Sequence, residues 1–160
     1  MDPKTTSFDS SETGKFGDIL TVERPGTGRI RVGLVGCGYF EYWRMYPALR
    51  ARVEQDLAMV RDRLGAELDV VYPGMIDTLD AAELAGRALA EAGVDLVIVV
   101  EGTYLPDFMV LAVLEHVPKA ELLLFNTQTG AGIAPTDVYE DTLRNSALIG
   151  IAQLSGTLMR

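Results

Sequence analysis

The sequence predicts an open α/β fold with a mainly parallel sheet, because short β-branched runs alternate with amphipathic stretches from Arg29 onwards. The run VDLVIVV, residues 94–100, is apolar almost throughout, as expected of a central strand buried on both faces. With 160 residues, of which 48% are hydrophobic, the chain has the size of one domain with a substantial core. The expected topology is flavodoxin/Rossmann-like, with strand order about 2-1-3-4, helices on both faces and room for a fifth strand.

The first half of this region predicts two strands and two helices. The segment RIRVGLVG, residues 29–36, predicts the first strand, followed by a loop and a helix over about 47–64. Pro47 suits the first turn of that helix, where the N–H that proline lacks would have no partner. The segment AELDVVYPG predicts the second strand. A second helix is expected to end at Ala92, before Gly93, with Thr78 or Asp77 as its cap.

The second half predicts two further strands separated by a helix. The third strand is VDLVIVV, a third helix is expected over about 106–116, and AELLLF, residues 120–125, predicts the fourth strand. A long glycine-containing loop follows, and a last helical segment is expected from about Val138. Residues 1–28 lack sustained periodicity and are interpreted as a flexible leader, so that residues 29–160 form the α/β domain.

The composition excludes several classes of partner. With 23 acidic and 14 basic residues, the net charge of −9 disfavours nucleic acid and anionic membrane surfaces as partners. The single cysteine, Cys37, excludes an intramolecular disulfide, and with the single histidine, His116, it cannot complete a zinc site of nitrogen and sulfur ligands. A reduced, cytoplasmic setting is therefore expected. No long uncharged apolar run is present, which predicts a soluble protein.

The predicted topology places a ligand site at the carboxyl ends of the strands. In an open parallel sheet, ligands bind where the strand order reverses, which here lies between the first and third strands. Three loops meet at that edge, at residues 37–46, 101–104 and 126–136. Glu101, directly after the third strand, is interpreted either as a ligand-contacting or interface residue, or as a solvated loop residue or helix cap.

The stretch GLVGCGYFEYW, residues 33–43, matches a dinucleotide-binding loop only in part. Gly36 and Gly38 match the first two glycines of G-x-G-x-x-G, but the third position is Glu41. Its carboxylate would stand beside the phosphate charge, and its side chain would obstruct the contact of helix and strand. The second strand also ends without the acidic residue that holds a ribose hydroxyl. A nicotinamide-dependent oxidoreductase is therefore disfavoured.

The same loop carries four aromatic residues, Tyr39, Phe40, Tyr42 and Trp43. Sugars present C–H faces that pack on aromatic rings, and tyrosine hydroxyls add a polar contact. The loop is accordingly interpreted as a stacking wall for a small sugar. The alternative is that these rings cover the top of the sheet or pack against another subunit.

Longer stretches resemble the amino-terminal domain of the L-fucose/L-arabinose isomerase family, whose members interconvert aldoses and ketoses. The resemblance spans about residues 29–160 and rests on the order of the loop RVGLVGCGYFEYW, a strand followed by GTY, and a strand followed by NTQ. It implies a Rossmann-like domain that lines the sugar pocket of a neighbouring subunit in a homo-oligomer, a trimer or hexamer. It also implies a divalent metal, usually manganese, held by Glu and His residues of later domains and not by this chain.

The resemblance also implies substrate contacts. Thr103 and Tyr104 match the family's Thr-aromatic step, and Gln128 matches a glutamine after the fourth strand. Gly38 and Asn145 stand where arabinose isomerases have glutamine, so the identity of the sugar stays open. The substrate-contacting residues expected from the loop chemistry and the resemblance are Gly38, Tyr39, Phe40, Trp43, Glu101, Thr103, Tyr104, Gln128 and Asn145.

The expected function is that of the substrate-pocket and oligomerisation domain of a metal-dependent aldose–ketose isomerase, without a catalytic residue of its own. The apolar end of the chain, LIGIAQLSGTLMR, predicts that a further domain follows. Two alternatives stay open. One is a stand-alone sugar-binding module that uses the same loops, and the other is the disfavoured oxidoreductase.

Overall fold

The computed structural model describes residues 29–128, residue 130 and residues 139–160. The flexible leader expected at residues 1–28 lies outside this part of the chain, as does most of the glycine-containing loop expected after the fourth strand. The described residues form a parallel sheet covered by helices on both faces, which confirms the predicted α/β class.

Five strands form the sheet within the described residues. They are β1 (Arg31–Cys37), β2 (Asp69–Val71), β3 (Met75–Ile76), β4 (Leu96–Glu101) and β5 (Glu121–Phe125). They pair in the order β2-β1-β4-β5, with β3 also on β1, and every pairing is parallel. Because β2 and β3 follow one another along the same edge of β1, the order is the predicted one. The fifth strand is the second half of the edge strand and not an addition beyond β5.

Pro73 and Gly74 interrupt the edge strand between β2 and β3. Proline has no N–H to donate to a neighbouring strand, and Gly74 has a φ of 115°, a conformation that a side chain would strain. Pairing with β1 resumes at Met75, opposite Gly36. The predicted second strand is therefore confirmed over Asp69–Val71 only, and the pairing at Met75–Ile76 was not predicted.

Six helices are present in the described residues. They are α1 (Phe40–Met45), α2 (Pro47–Gly65), α3 (Leu79–Ala92), α4 (Asp107–Leu114), α5 (Tyr139–Arg144) and α6 (Ala147–Leu158). Residues 37–46 were expected as a loop but contain the helix α1. In its last turn, the amide of Tyr46 donates a hydrogen bond to the carbonyl oxygen of Tyr42 at 2.7 Å. The last helical segment divides into α5 and α6. None of these helices combines the length and the apolar character needed to cross a bilayer.

The ends of α2 and α3 follow local sequence signals. Pro47 occupies the first turn of α2. Thr78 accepts a hydrogen bond from the amide of Ala81 at 3.2 Å, and Gly93 ends α3 in the left-handed conformation with a φ of 66°. The predicted cap and the predicted stop of α3 are both confirmed.

Each face of the sheet carries its own hydrophobic core. On one face, α3, α4 and α6 pack against Val35, Val97 and Val99. On the other face, α2 and α5 pack against Leu34 and Ile98. Strand β4 lies between β1 and β5 and is buried from its second residue onwards, as predicted for the central strand.

A contact between a glycine and a histidine brings the end of α4 close to α3. An ideal Cβ on Gly86 would lie 2.5 Å from Cδ2 of His116 and 3.0 Å from the carbonyl oxygen of Val113. The Nε2 atom of His116 lies 2.9 Å from a carboxylate oxygen of Glu83, also on α3. Gly86 therefore permits a close helix contact, and His116 has a structural partner.

We expect Gly86→Ala to lower the free energy of unfolding by roughly 1–3 kcal/mol, because the added methyl group would overlap the His116 ring. Gly156→Ala in α6 is the control, since no atom lies within 4 Å of the added methyl group there. The control should stabilise the protein by up to about 1 kcal/mol through better helix propensity. Urea denaturation measures both variants, and equal shifts would contradict the close contact.

Candidate functional site

The loops that follow β4 and β5 both contact the junction between α5 and α6, at the carboxyl end of the sheet. The amide of Tyr104, after β4, donates to the hydroxyl oxygen of Ser146 at 3.2 Å. The side-chain nitrogen of Gln128, after β5, donates to the carbonyl oxygen of Asn145 at 3.2 Å. The predicted contact residues Tyr104, Gln128 and Asn145 therefore lie around one junction, although they are far apart in the sequence.

Asn145 organises this junction through its side chain. The side-chain oxygen accepts a hydrogen bond from the amide of Gly130 at 3.0 Å, and the side-chain nitrogen donates to the carbonyl oxygen of Asp141 at 2.9 Å. The neighbouring Ser146 hydroxyl donates to the carbonyl oxygen of Leu143 at 2.6 Å. Sequence reasoning missed Ser146, because its contact with Tyr104 arises only when α6 packs beside β4.

Tyr39 stands at the centre of an aromatic cluster. Its ring lies edge-on to the rings of Phe40, Tyr42 and Tyr104, with centroid distances of 5.3, 5.4 and 6.4 Å. The hydroxyl groups of Tyr39 and Tyr104 have no hydrogen-bond partner within the described part of the chain. Half-buried tyrosines with unused hydroxyls suit a ligand that carries both apolar and hydroxyl groups. We define the aromatic–amide edge as Tyr39, Phe40, Tyr42, Tyr104, Gln128 and Asn145.

Trp43 and Gly38 form a separate contact at the top of β1. An ideal Cβ on Gly38 would lie 2.6 Å from the Trp43 ring and 2.7 Å from the sulfur of Met75. The indole N–H of Trp43 donates to a carboxylate oxygen of Asp77 at 2.9 Å. The ring and its N–H therefore both have partners within the fold. The space over Gly38, where a dinucleotide fold admits a pyrophosphate, is filled.

Glu101 is the last residue of β4 and is buried, with 2% of its surface exposed. The interpretation of this residue as a solvated loop residue or helix cap was therefore wrong. Neither carboxyl oxygen has a hydrogen-bond partner among the described residues. Burial raises the pKa of Glu101 to about 8, and the nearby backbone amide of Leu105 offsets only part of that rise. At neutral pH the carboxyl group is therefore mostly protonated and uncharged.

The Glu101 carboxyl group packs directly on Gly150 of α6. An ideal Cβ on Gly150 would lie 1.6 Å from Oε2 of Glu101, so only glycine fits at this point of the helix. The register partner of Glu101 on β1 is Cys37. Burial, and then the neighbouring carboxyl group, raise the pKa of the Cys37 thiol well above its ordinary value. A neutral thiol is a poor nucleophile, in agreement with a structural role for Cys37.

The connection after β4 fills the space between β1 and β4. The amide of Gly102 donates to the carbonyl oxygen of Cys37 at 2.8 Å, and an ideal Cβ on Gly102 would lie 2.4 Å from a methyl group of Val53 on α2. Thr103 is fully buried, and its hydroxyl donates to the carbonyl oxygen of Tyr104 at 3.2 Å. Instead of an open crevice at the reversal point, the described residues thus show close packing.

Arginine–carboxylate contacts hold α5 against α2. Two nitrogens of Arg144 donate to the two carboxylate oxygens of Asp56, an arrangement that fixes both distance and angle. Arg52 of α2 contacts one carboxylate oxygen of Glu140 and one of Asp141 on α5. Because α5 leads directly into Asn145 and Ser146, these ion pairs position the junction that meets Tyr104 and Gln128. Sequence reasoning gave no signal for them, since the partners are far apart in the chain.

A cavity of about 450 Å³ opens between α2 and the carboxyl ends of β4 and β5. It lies one strand beyond the predicted reversal point. The lining comes mainly from apolar side chains of α2 and the sheet. Its residues are Asp56, Leu57, Met59, Val60, Arg63, Leu64, Val100, Glu101, Gly102, Phe125, Thr127, Gln128 and Arg144.

The described residues do not fit a metal centre. No three His, Cys, Asp or Glu side chains among them come together as ligands, and His116 is bonded to Glu83 between two helices. No residue described here is therefore assigned to the manganese that the resemblance implies for the family.

Comparison of the chain with protein-family models and with curated proteins gives no match. The relation to sugar isomerases is therefore a hypothesis carried by the residues quoted above and by their placement.

The raised pKa of Glu101 makes stability depend on pH. This carboxyl group titrates near 4.5 when unperturbed and at about 8 in the fold. The folded chain therefore keeps a proton that the unfolded chain releases, so the contribution is complete below about pH 4.5 and is lost as the pH rises through about 8. We expect Glu101→Gln to flatten this dependence and to exceed the parent in stability by roughly 2–5 kcal/mol at pH 8.5, the upper figure corresponding to the whole difference between 4.5 and about 8.

Urea denaturation at about pH 5, 7 and 8.5 measures this effect. Glu91→Gln is the control, because Glu91 is exposed on α3 and makes no side-chain contact with a charged group among the described residues. It should leave the pH dependence of the parent unchanged. Parallel stability curves for the parent and Glu101→Gln would show that Glu101 titrates normally.

A double-mutant cycle tests the contact between Glu101 and Gly150. Gly150→Ala should destabilise the parent by roughly 1–3 kcal/mol, because the new methyl group would occupy the position of the carboxyl group. In a Glu101→Ala background the same substitution has space and should cost little. The expected coupling free energy is about 1–3 kcal/mol in urea denaturation. Additive effects would show that the two residues are not packed together.

Proposed function

We propose that this chain is the amino-terminal domain of a metal-dependent aldose–ketose isomerase of the L-fucose/L-arabinose type, in which it forms one wall of the sugar pocket and contributes to the oligomer contact. One observation carries the proposal. Tyr104, Gln128 and Asn145, singled out by the resemblance, surround a single junction that lies beside the Tyr39 cluster.

The chemistry of the aromatic–amide edge suits a carbohydrate. Ring faces pack against the C–H faces of a sugar, while phenol and amide groups exchange hydrogen bonds with its hydroxyls. The edge is also uncharged at neutral pH, as a neutral sugar requires, because its described members are aromatic or amide residues. Two of its tyrosine hydroxyls are unused within the described residues and are available for such bonds.

The role of the described residues is to bind and orient the sugar. Isomerisation moves a hydrogen between two carbons, by a positioned base or by a metal-assisted shift. Glu101 is buried and Glu41 is paired with Arg44 at 3.2 Å, while His116 is held by Glu83. In this proposal the groups that move the hydrogen therefore come from outside the described residues.

A stand-alone sugar-binding module is the second candidate. The pairing of Glu41 with Arg44 and of His116 with Glu83 favours it, because binding alone needs no proton-transfer group at the edge. An oxidoreductase is disfavoured by Trp43 and Met75, which fill the space over Gly38. The two sugar-binding candidates share one site and differ only in whether chemistry takes place there.

Titration of the chain with L-fucose, L-arabinose and other common aldoses, by calorimetry, tests the shared site. We expect dissociation constants of about 1 mM, as for a small polar ligand on an open surface. Tyr104→Ala should weaken binding about tenfold, because the stacking face is lost. Tyr104→Phe should weaken binding less, by about two- to fivefold, because it keeps the ring and loses one hydrogen bond. NAD should give no binding heat.

Phe108→Ala is the matched control, because Phe108 is an exposed aromatic residue on α4 and lies outside the aromatic–amide edge. It should bind sugars as the parent does. Equal affinity of the parent and Tyr104→Ala would remove the sugar site from this edge. Tight binding of NAD would overturn both sugar-binding candidates. Mn²⁺-dependent sugar turnover by a longer protein that carries the expected later domains would favour the isomerase over the module, whereas this chain by itself should bind sugar without turnover.

A further inference from the structure

The cavity between α2 and the ends of β4 and β5 has a chemistry different from that of the aromatic–amide edge. Its apolar wall combines Leu57, Met59, Val60 and Leu64 of α2 with Phe125 of β5. A volume of about 450 Å³ lies within the range typical of small-molecule sites. A sugar does not suit this wall, because its apolar side chains cannot form hydrogen bonds with the sugar hydroxyl groups.

The sheet beside the cavity is apolar and uncovered. Leu123 and Phe125 are 46% and 41% exposed, and Met59 on the facing helix is 57% exposed. Leu123 pairs with Ile98 and Phe125 with Val100, so both lie on the α2 face of the sheet. A ligand with an apolar body would gain free energy by covering this surface.

The charged residues of the lining differ in their pairing. Arg144 is neutralised by its two contacts with Asp56. Arg63, in the last turn of α2, has no carboxylate partner within the described part of the chain. Its guanidinium is therefore available to an anionic ligand in the cavity. Thr127 and Gln128 add polar groups to the lining.

We propose that this cavity is a second binding site, which takes a small amphipathic carboxylate, with its hydrocarbon body on α2 and Phe125 and its carboxylate at Arg63. The proposal does not rest on the proposed function, and the cavity shares only Gln128 with the aromatic–amide edge. The occupant is a carboxylate because a neutral apolar molecule would make no use of Arg63. A planar guanidinium with free donors binds a carboxylate through two hydrogen bonds.

The test uses octanoate and 1-octanol as a charged and a neutral probe of equal chain length. The full chain is labelled at its methionine methyl groups, and the NMR signal of Met59 reports on the cavity. We expect both probes to shift this signal, with octanoate binding about two- to fivefold more tightly, the range that one exposed ion pair contributes. Arg63→Gln should remove the difference between the probes by weakening octanoate alone.

Arg61→Gln is the matched control, because Arg61 lies on the same helix, is paired with Asp62 at 2.7 Å and does not line the cavity. It should keep the preference for octanoate. Tyr104→Ala should also keep it, which separates this site from the sugar site. Equal binding of the two probes to the parent, or no shift of Met59, would overturn the proposal. A parent protein that is a dimer in solution, and a Met59→Glu variant that is a monomer, would also overturn the proposal. The cavity would then be a contact between two copies of the chain.

Discussion

The parallel pairing of β1 with β4 is the interaction on which the rest of the structure depends. It runs from Val32 opposite Leu96 to Cys37 opposite Glu101, so the two strands end at the same level. The loops that follow the two strands therefore leave the sheet at the same end, the carboxyl end of the strands. The amide of Gly102 closes this pairing by donating to the carbonyl oxygen of Cys37, and α2 packs over it. The aromatic cluster and the junction of α5 and α6 are placed beside that closed end.

A buried carboxyl group connects this sheet end to the last helix. Burying a polar group without a hydrogen bond is unfavourable, and a charged group would be more so. Glu101 avoids the larger cost by remaining protonated, and α6 accommodates it because Gly150 has no side chain. Residues that break the usual rules of burial tend to occur near functional sites. Here the exception packs against Gly150 in α6, the helix that begins directly after Asn145 and Ser146.

The two proposed sites use opposite chemistry within a small region. The aromatic–amide edge offers ring faces, phenols and amides, whereas the cavity offers a hydrocarbon wall and one free arginine. Gln128 belongs to both, since it bonds to Asn145 and also lines the cavity. The ion pair of Arg144 with Asp56 likewise lines the cavity and fixes the junction. A ligand in the cavity that moved this pair would therefore also displace Asn145 at the aromatic–amide edge.

The sequence by itself determined the elements whose signals are local. Alternating apolar patterns identified the strands, Pro47 and Thr78 placed helix starts, and Gly93 placed a helix end, because each acts through its own backbone or nearest turn. The family resemblance also indicated Tyr104, Gln128 and Asn145, but it did not show that they lie around one junction. The ordering of the sheet followed from the general rules for parallel crossovers.

Only the tertiary structure decided what depends on contacts between distant segments. The folding of residues 40–45 into a helix, the inward packing of Trp43 on Gly38 and the burial of Glu101 against Gly150 all require a partner from another element. The position of the cavity also depends on how much of β5 a helix covers. Such features are set by packing geometry, for which a single chain carries no local pattern.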